Sequence, residues 1–174
     1  LRHEVFLEET LNRRHESGLE FDSFDQRADH LMIIEKERGI AVGTYRLIHS
    51  DYSDLFYSQG EFDMDEFVNL EGAKLELGRA CTHKDHRTGR TMDLLWQGLS
   101  RYIRDTKTLY LFGCSSLKTM DPKEVFTVIK SLQSKEAHTF DLNIVPTPDF
   151  QFSEADKNLE QAQADPKILR TLPP

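Results

Sequence analysis

The stretch Lys74–Cys114, KLELGRACTHKDHRTGRTMDLLWQGLSRYIRDTKTLYLFGC, decides the fold. Its start, Lys74 to Thr82 (KLELGRACT), has the apolar, β-prone character of a strand, yet Glu76 and Arg79 stand where burial is expected, and buried charges need a reason. The loop Lys84-Asp85-His86-Arg87-Thr88-Gly89-Arg90 leads into an amphipathic helix. In it Met92, Leu95, Trp96, Leu99, Tyr102 and Ile103 fall at i, i+3, i+4, i+7, i+10 and i+11, so that face, Trp96 included, is expected in the core. Thr108 to Cys114 (TLYLFGC) comes next as another strand. A helix of crossover length between two strands makes them parallel neighbours.

Upstream, Ala28 to Glu35 (ADHLMIIE) and Ile40 to Ile48 (IAVGTYRLI) are β-branched runs separated by Lys36, Glu37, Arg38 and Gly39, which predicts an antiparallel hairpin with a glycine turn. Residues 2–15 carry Val5, Leu7 and Leu11 among charges and open the chain as an amphipathic helix. Residues 50–73 show no period and are expected to form loop over the sheet, with a helical turn near Asp63 to Val68. Downstream, Asp121-Pro122-Lys123-Glu124 supplies an N-cap acid, Pro at the first helical position and Glu three residues past the cap, so a helix should run to about Gln133. Asn143 to Phe152 holds two prolines and reads as loop or edge strand, and a last helix is expected from Ser153, ending before Pro166. This order predicts an α+β fold, an α/β sandwich built on a mixed sheet.

A chain of 174 residues suits a single domain. With 22 Lys and Arg against 30 Asp and Glu the net charge is −8, which excludes a general nucleic-acid binder. Eleven Phe, five Tyr and one Trp exclude a disordered chain. No apolar run approaches the roughly 20 residues of a membrane span, so a soluble protein is expected. Cys81 and Cys114 are too few for a disulfide framework and suit a reducing cytosol. The chain starts without Met and reads as a trimmed piece. Against the acidic whole, Arg79 to Lys107 carries seven basic residues and three acids, a local positive face suited to an acidic, phosphate-bearing partner. The loop from Lys84 to Arg90 also meets the positive end of a helix dipole, where an anion is stabilised.

Several motifs carry a family resemblance. Arg2 to Phe6 (RHEVF), Phe21 to Asp25 (FDSFD), Val42 to Leu47 (VGTYRL), Glu61 to Asp63 (EFD), Glu76 to Cys81 (ELGRAC), Leu94 to Trp96 (LLW) and Leu111 to Leu117 (LFGCSSL) resemble the acyl-carrier-protein-dependent branch of the GNAT acyltransferases. Within it they look like ornithine N-acyltransferases of ornithine-lipid synthesis and long-chain N-acyl amino acid synthases. More distantly, Arg2, Phe6, Asp22, Asp25, Arg46, Glu76 and Arg79 are similar in order to the charged set of acyl-homoserine-lactone synthases. The resemblance covers roughly residues 1–135. It implies a single GNAT-like domain over residues 1–174, with a mostly antiparallel central sheet flanked by helices; relatives continue with further strands, so its C-terminal strands are expected to be missing. His86 to Thr91 departs from the acetyl-CoA loop of ordinary GNATs, with His at the first place and Thr at the last, which argues against acetyl-CoA.

The activity that the resemblance implies is transfer of a long-chain fatty acyl group from acyl carrier protein to the α-amine of an ornithine-like amino acid. No cofactor is tightly bound on this reading; the donor is the acyl-phosphopantetheine of the carrier. The place is cytoplasmic, with peripheral membrane contact through the lipid product. An unprotonated amine must attack a thioester, so Glu76 is the expected base, with a backbone N–H near Cys81 or Thr82 for the oxyanion. Glu76 and Arg79 are an odd number apart, and a bulge near Gly78 would bring them to one face. Arg46 and Arg79 are expected to hold the amino acid's carboxylate, and Asp22 and Asp25 its cationic side chain or the loop itself. Lys84, His86, Arg87, Gly89 and Arg90 are expected to receive the donor's phosphate and its carrier. Phe56, Phe62 and Phe112 are candidates for the acyl pocket. Cysteine catalysis is rejected because Cys on a central strand is usually a small buried hydrophobe, and His83 with His86 lacks further ligands for a metal. Two rival functions stay open: a homoserine-lactone synthase and a non-catalytic acyl-carrier or lipid-binding module.

Overall fold

The structure is a computed structural model that describes residues 1–117, 119, 121–134, 142–153 and 165. The chain divides into two compact units, Leu1–Ser58 with Glu71–Cys114, and Gln59–Leu70 with Ser115–Pro174. The helix expected from Ser153 and ending before Pro166 lies outside the described residues, save Ser153 and Asp165.

The first unit is built on a four-stranded sheet of β1 (Asp29–Glu35), β2 (Ile40–His49), β4 (Lys74–Thr82) and β5 (Tyr110–Phe112), neighbours in that order. Strands β1 (Asp29–Glu35) and β2 (Ile40–His49) form the expected antiparallel hairpin. Gly39 turns it at φ 65°, with its N–H on the Glu35 carbonyl at 2.8 Å. Strand β4 (Lys74–Thr82) pairs antiparallel with β2, and β5 (Tyr110–Phe112) pairs parallel with β4 through the crossover helix α2 (Gly89–Asp105). The mixed, mostly antiparallel α+β sheet is therefore as the sequence predicts. Gly113 ends β5 in close approach to its neighbour: a Cβ there would stand 2.3 Å from the Leu77 carbonyl oxygen. A π-type helical segment, His3–Thr10, opens the chain.

The core lies between the sheet and α2. Tyr45, Leu47 and Leu75 from the strands meet Leu95 and Leu99 from the helix, with Leu31, Ile33, Leu77, Tyr102 and Ile103 around them. Trp96 corrects the sequence expectation: it is 47% exposed. The buried stripe of α2 runs through Thr91, Leu95 and Leu99, spaced by four, and a residue one step past Leu95 sits about 100° around the helix. The second unit pairs β3 (Phe62–Asp63) antiparallel with β6 (Val145–Pro146). It also holds α1 (Asp65–Val68) and α3 (Pro122–Ser134), whose Lys123 N–H is capped by Asp121 at 2.9 Å, and Phe126 stacks on Phe152 at 5.0 Å. Residues 50–58 belong to the sheet's unit and residues 59–70 to the second. Among the described residues no helix is long and apolar enough to cross a membrane.

The exposed tryptophan and the buried leucine separate cleanly in chemical denaturation. Leu99→Ala should lower unfolding free energy by about 2–5 kcal/mol, and Trp96→Ala by under about 1 kcal/mol. Equal losses would put the core stripe in the wrong phase.

Candidate active site

Three guanidiniums and three carboxylates alternate in a closed ring on the first unit. Arg2 bonds Glu20 through Nε at 2.5 Å and Asp25 through Nη1 and Nη2 at 2.5 and 3.1 Å. Arg79 stands 3.0 Å from Glu20 and donates to Asp22 at 3.2 Å. Arg46 donates through Nη1 to both oxygens of Asp22 at 2.7 Å and lies 3.7 Å from Asp25, which closes the circle. Arg46 is 1% exposed, and charges this deep persist only when paired. Around them Phe24 and Tyr57 pack edge to face, with Arg46 over both rings and Arg79 over Tyr57. The Asp22 loop is rigid in its own right: Asp22 accepts from the Phe24 N–H at 2.9 Å, and Asp25 reaches back to the Asp22 N–H at 2.8 Å.

The expected bulge is present, one step beyond Gly78. Thr44 faces Cys81 and Arg46 faces Gly78, so Arg79 and Ala80 crowd opposite Tyr45, and Arg79 takes a left-handed φ of 49°. Glu76 and Arg79 thereby meet the same residue, Tyr57, one at its N–H and the other at its ring. They form no pair with each other. Glu76, 2% exposed, instead clasps a turn: Oε2 accepts from the Tyr57 N–H at 2.6 Å, and Oε1 from the Ser58 N–H at 2.7 Å and its hydroxyl at 2.5 Å. The Cys114 thiol donates to that hydroxyl at 3.2 Å. Cys81 and Thr82 stay in register with β2. Because the His83 N–H donates to Val42, the antiparallel alternation directs Cys81's N–H into β2 and Thr82's toward the other edge, where β5 covers β4 only from Lys74 to Glu76. Burial pushes the Cys81 thiol up to about 11.

The donor-side residues divide. Lys84 and Arg90 are exposed, Thr88 leaves the α2 N-terminus without a side-chain cap, and Gly89 has open space around it. Arg87 is engaged with Glu9, and His86 stands 3.5 Å from Glu35. His83 stands 3.4 Å from Glu4, so the two histidines face separate carboxylates, and among the described residues no three His, Cys, Asp or Glu gather as metal ligands. Phe56 packs edge to face on Phe112 at 5.0 Å, whereas Phe62 lies in the second unit. A hollow of about 410 Å³ lined by Asp29, Leu31, Gly98 and Tyr102 takes in none of the residues that the sequence singles out for the site. Glu20 and Tyr57 escape a reading of the sequence, since a loop glutamate and a loop tyrosine carry no periodic signal.

A charged strand with a bulge, a bare helix start after it and a parallel strand beyond define an acyltransferase-type fold, and a family model described as Acetyltransferase (GNAT) domain matches residues 1–97. The chain belongs to that family. It is similar to proteins named L-ornithine N(alpha)-acyltransferase. That of Rhodobacter capsulatus is 37% identical over 133 residues, 70% of this chain and 51% of the relative. That of Agrobacterium fabrum is 30% identical over 188 aligned positions, 100% of this chain and 64% of the relative, and that of Rhizobium meliloti is 36% identical over 71% of this chain. The chain spans about half the length of the Rhodobacter and Rhizobium proteins and 64% of the Agrobacterium one.

The ring sets an acid limit. Burial works to raise Asp22 and Asp25, but Arg46 with the Phe24 N–H, and Arg2 with the Asp22 N–H, outweigh it and hold both below the ordinary 3.8. A depressed carboxyl stabilises the fold above its unfolded value and loses that contribution as pH falls through its folded value. Asp25→Asn should therefore be less stable than the parent at pH 7, with the gap closing below about pH 4 in urea titrations. A gap constant across that range would remove the carboxylates from acid unfolding.

Proposed function

We propose that this chain carries the catalytic unit of an N-acyltransferase that moves a long-chain fatty acyl group from acyl carrier protein to the α-amine of ornithine, giving an N-acyl amino acid of the lyso-ornithine-lipid type. The observation that carries the reading is similarity along 100% of this chain to a protein named L-ornithine N(alpha)-acyltransferase. The charge ring supports it, because an amino acid with a carboxylate and a side-chain ammonium needs both signs of charge within one site.

In the proposed reaction the neutral α-amine attacks the thioester carbonyl, the C–N bond forms, the C–S bond breaks and the pantetheine thiol leaves with a proton. Glu76 is the proposed base. Oε2, which accepts only the Tyr57 N–H among the described residues, keeps a lone pair for the amine's proton. The Thr82 N–H, directed away from β2 and beyond the stretch of β4 that β5 pairs, is the proposed oxyanion donor, in place of Cys81. Arg46 and Arg79 hold the acceptor's carboxylate; Asp22 and Asp25 order that pair and face its ammonium. Lys84, Arg90 and the N–H groups at Gly89 receive the donor's phosphate. No resident cofactor takes part; acyl-phosphopantetheine enters as substrate on its carrier. The aromatic pair Phe56 and Phe112 offers the chain an apolar wall. A carrier and an amino acid as substrates place the reaction in the cytoplasm, and its lipid product brings it to the inner face of the membrane.

Labelled acyl carrier protein incubated with a panel of amino acids should yield N-acylornithine by product mass. A lactone formed with S-adenosylmethionine, or no transfer to any amino acid, would refute the reading. Glu76→Gln should cut kcat by about 10² or more. Lys84→Glu with Arg90→Glu should weaken carrier binding and flatten its salt dependence, and unchanged binding would move the interface elsewhere.

A further inference from the structure

Arg46 is held by one side only. Its ion pairs with Asp22 and Asp25 both use Nη1. Nε is buried without a hydrogen-bond partner among the described residues, and Nη2 enters none of the guanidinium's hydrogen bonds there. A buried donor left unpaired is costly, so an unpaired edge on a side chain 1% exposed points to something that arrives later. What faces that edge is Gly78. A Cβ built there would meet just two heavy atoms within 4 Å, Nε and Nη2 of Arg46, each at 3.8 Å.

We infer that the Nε–Nη2 edge of Arg46 is a seat for a planar carboxylate and that Gly78, by lacking a side chain, keeps it open. The inference deepens the acyl-transfer reading and rests on it for the identity of the acid, the acceptor's α-carboxylate. The two N–H bonds of that edge are parallel and match two carboxylate oxygens, a fork that lysine cannot present. A phosphate would also suit a guanidinium. The ring's three guanidiniums and three carboxylates already cancel, which favours a monoanion over a dianion. Gly78 is thus a specificity residue for the acceptor: a methyl there stands at ordinary contact distance from Arg46 and displaces the ligand without displacing the protein.

Calorimetric titration of the full chain with ornithine, with ornithinamide and with inorganic phosphate tests this. Ornithine should bind about tenfold or more tighter than ornithinamide. Gly78→Ala should bring the two within about twofold while leaving the thermal midpoint equal to the parent's or slightly above it, because its φ is ordinary and its new contacts are not tight. Arg46→Lys should do the same to the preference while retaining a charge for Asp22. Equal binding of acid and amide by the parent, a preference surviving Gly78→Ala, or displacement of ornithine by phosphate would overturn the assignment. Binding that obeys the rule in a protein that transfers no acyl group would leave the seat standing and remove the enzyme reading; transfer to ornithine without the preference would do the reverse.

Discussion

The salt bridge between Arg46 and Asp22 is the interaction on which the first unit depends. Arg46 enters a central strand whose residues are buried on both faces, and a lone cation there would be prohibitively costly. Asp22 makes it tolerable, and the four remaining members make Asp22 tolerable in turn. Each of the six groups touches two of opposite sign, so segments as distant as Arg2, the Glu20 to Asp25 loop, β2 and β4 close on one another. Such a ring is costly to break whatever its net contribution to stability, because removing one member leaves another charge uncompensated.

The bulge in β4 is the geometric counterpart of that ring. An ideal strand would send Arg79 to the face opposite Glu76. One extra residue opposite Tyr45, at the cost of a left-handed arginine, brings both to Tyr57 and turns the Thr82 N–H away from β2. Strain, charge pairing and an N–H directed away from the hairpin thus arise from the same local departure from regularity.

Periodicity makes most of this unit legible. The hairpin, the crossover helix and the parallel strand come from runs of two-residue and 3.6-residue spacing with glycine at the turn. Trp96 misleads because a helix repeat places i+3 and i+4 on one broad stripe, and only packing against Leu31 and Tyr45 tells which side of the stripe is inside. The parity of Glu76 and Arg79 signals a bulge, but side-chain order cannot say which residue is the extra one. Arg87 counts in sequence among the free cations of the loop, and its partner Glu9, on a separate helical segment, is invisible without coordinates. Glu76 is legible as a buried acid with a purpose; that much of its bonding goes to the backbone of Tyr57 and Ser58 is not.

That clasp bears on how the chain tolerates change. The peptide leaves the sheet's unit after Ser58, whose N–H and hydroxyl are fastened to Glu76, and returns at Glu71, just ahead of the same strand. The intervening excursion is therefore tethered at both stems to β4. Lengthening a flexible stem of that excursion adds only about 0.6 kcal/mol of closure entropy per doubling, so evolution or an engineer can graft new sequence at the turn from Asn69 to Gly72, outside β3 and α1, without asking the strands to slip.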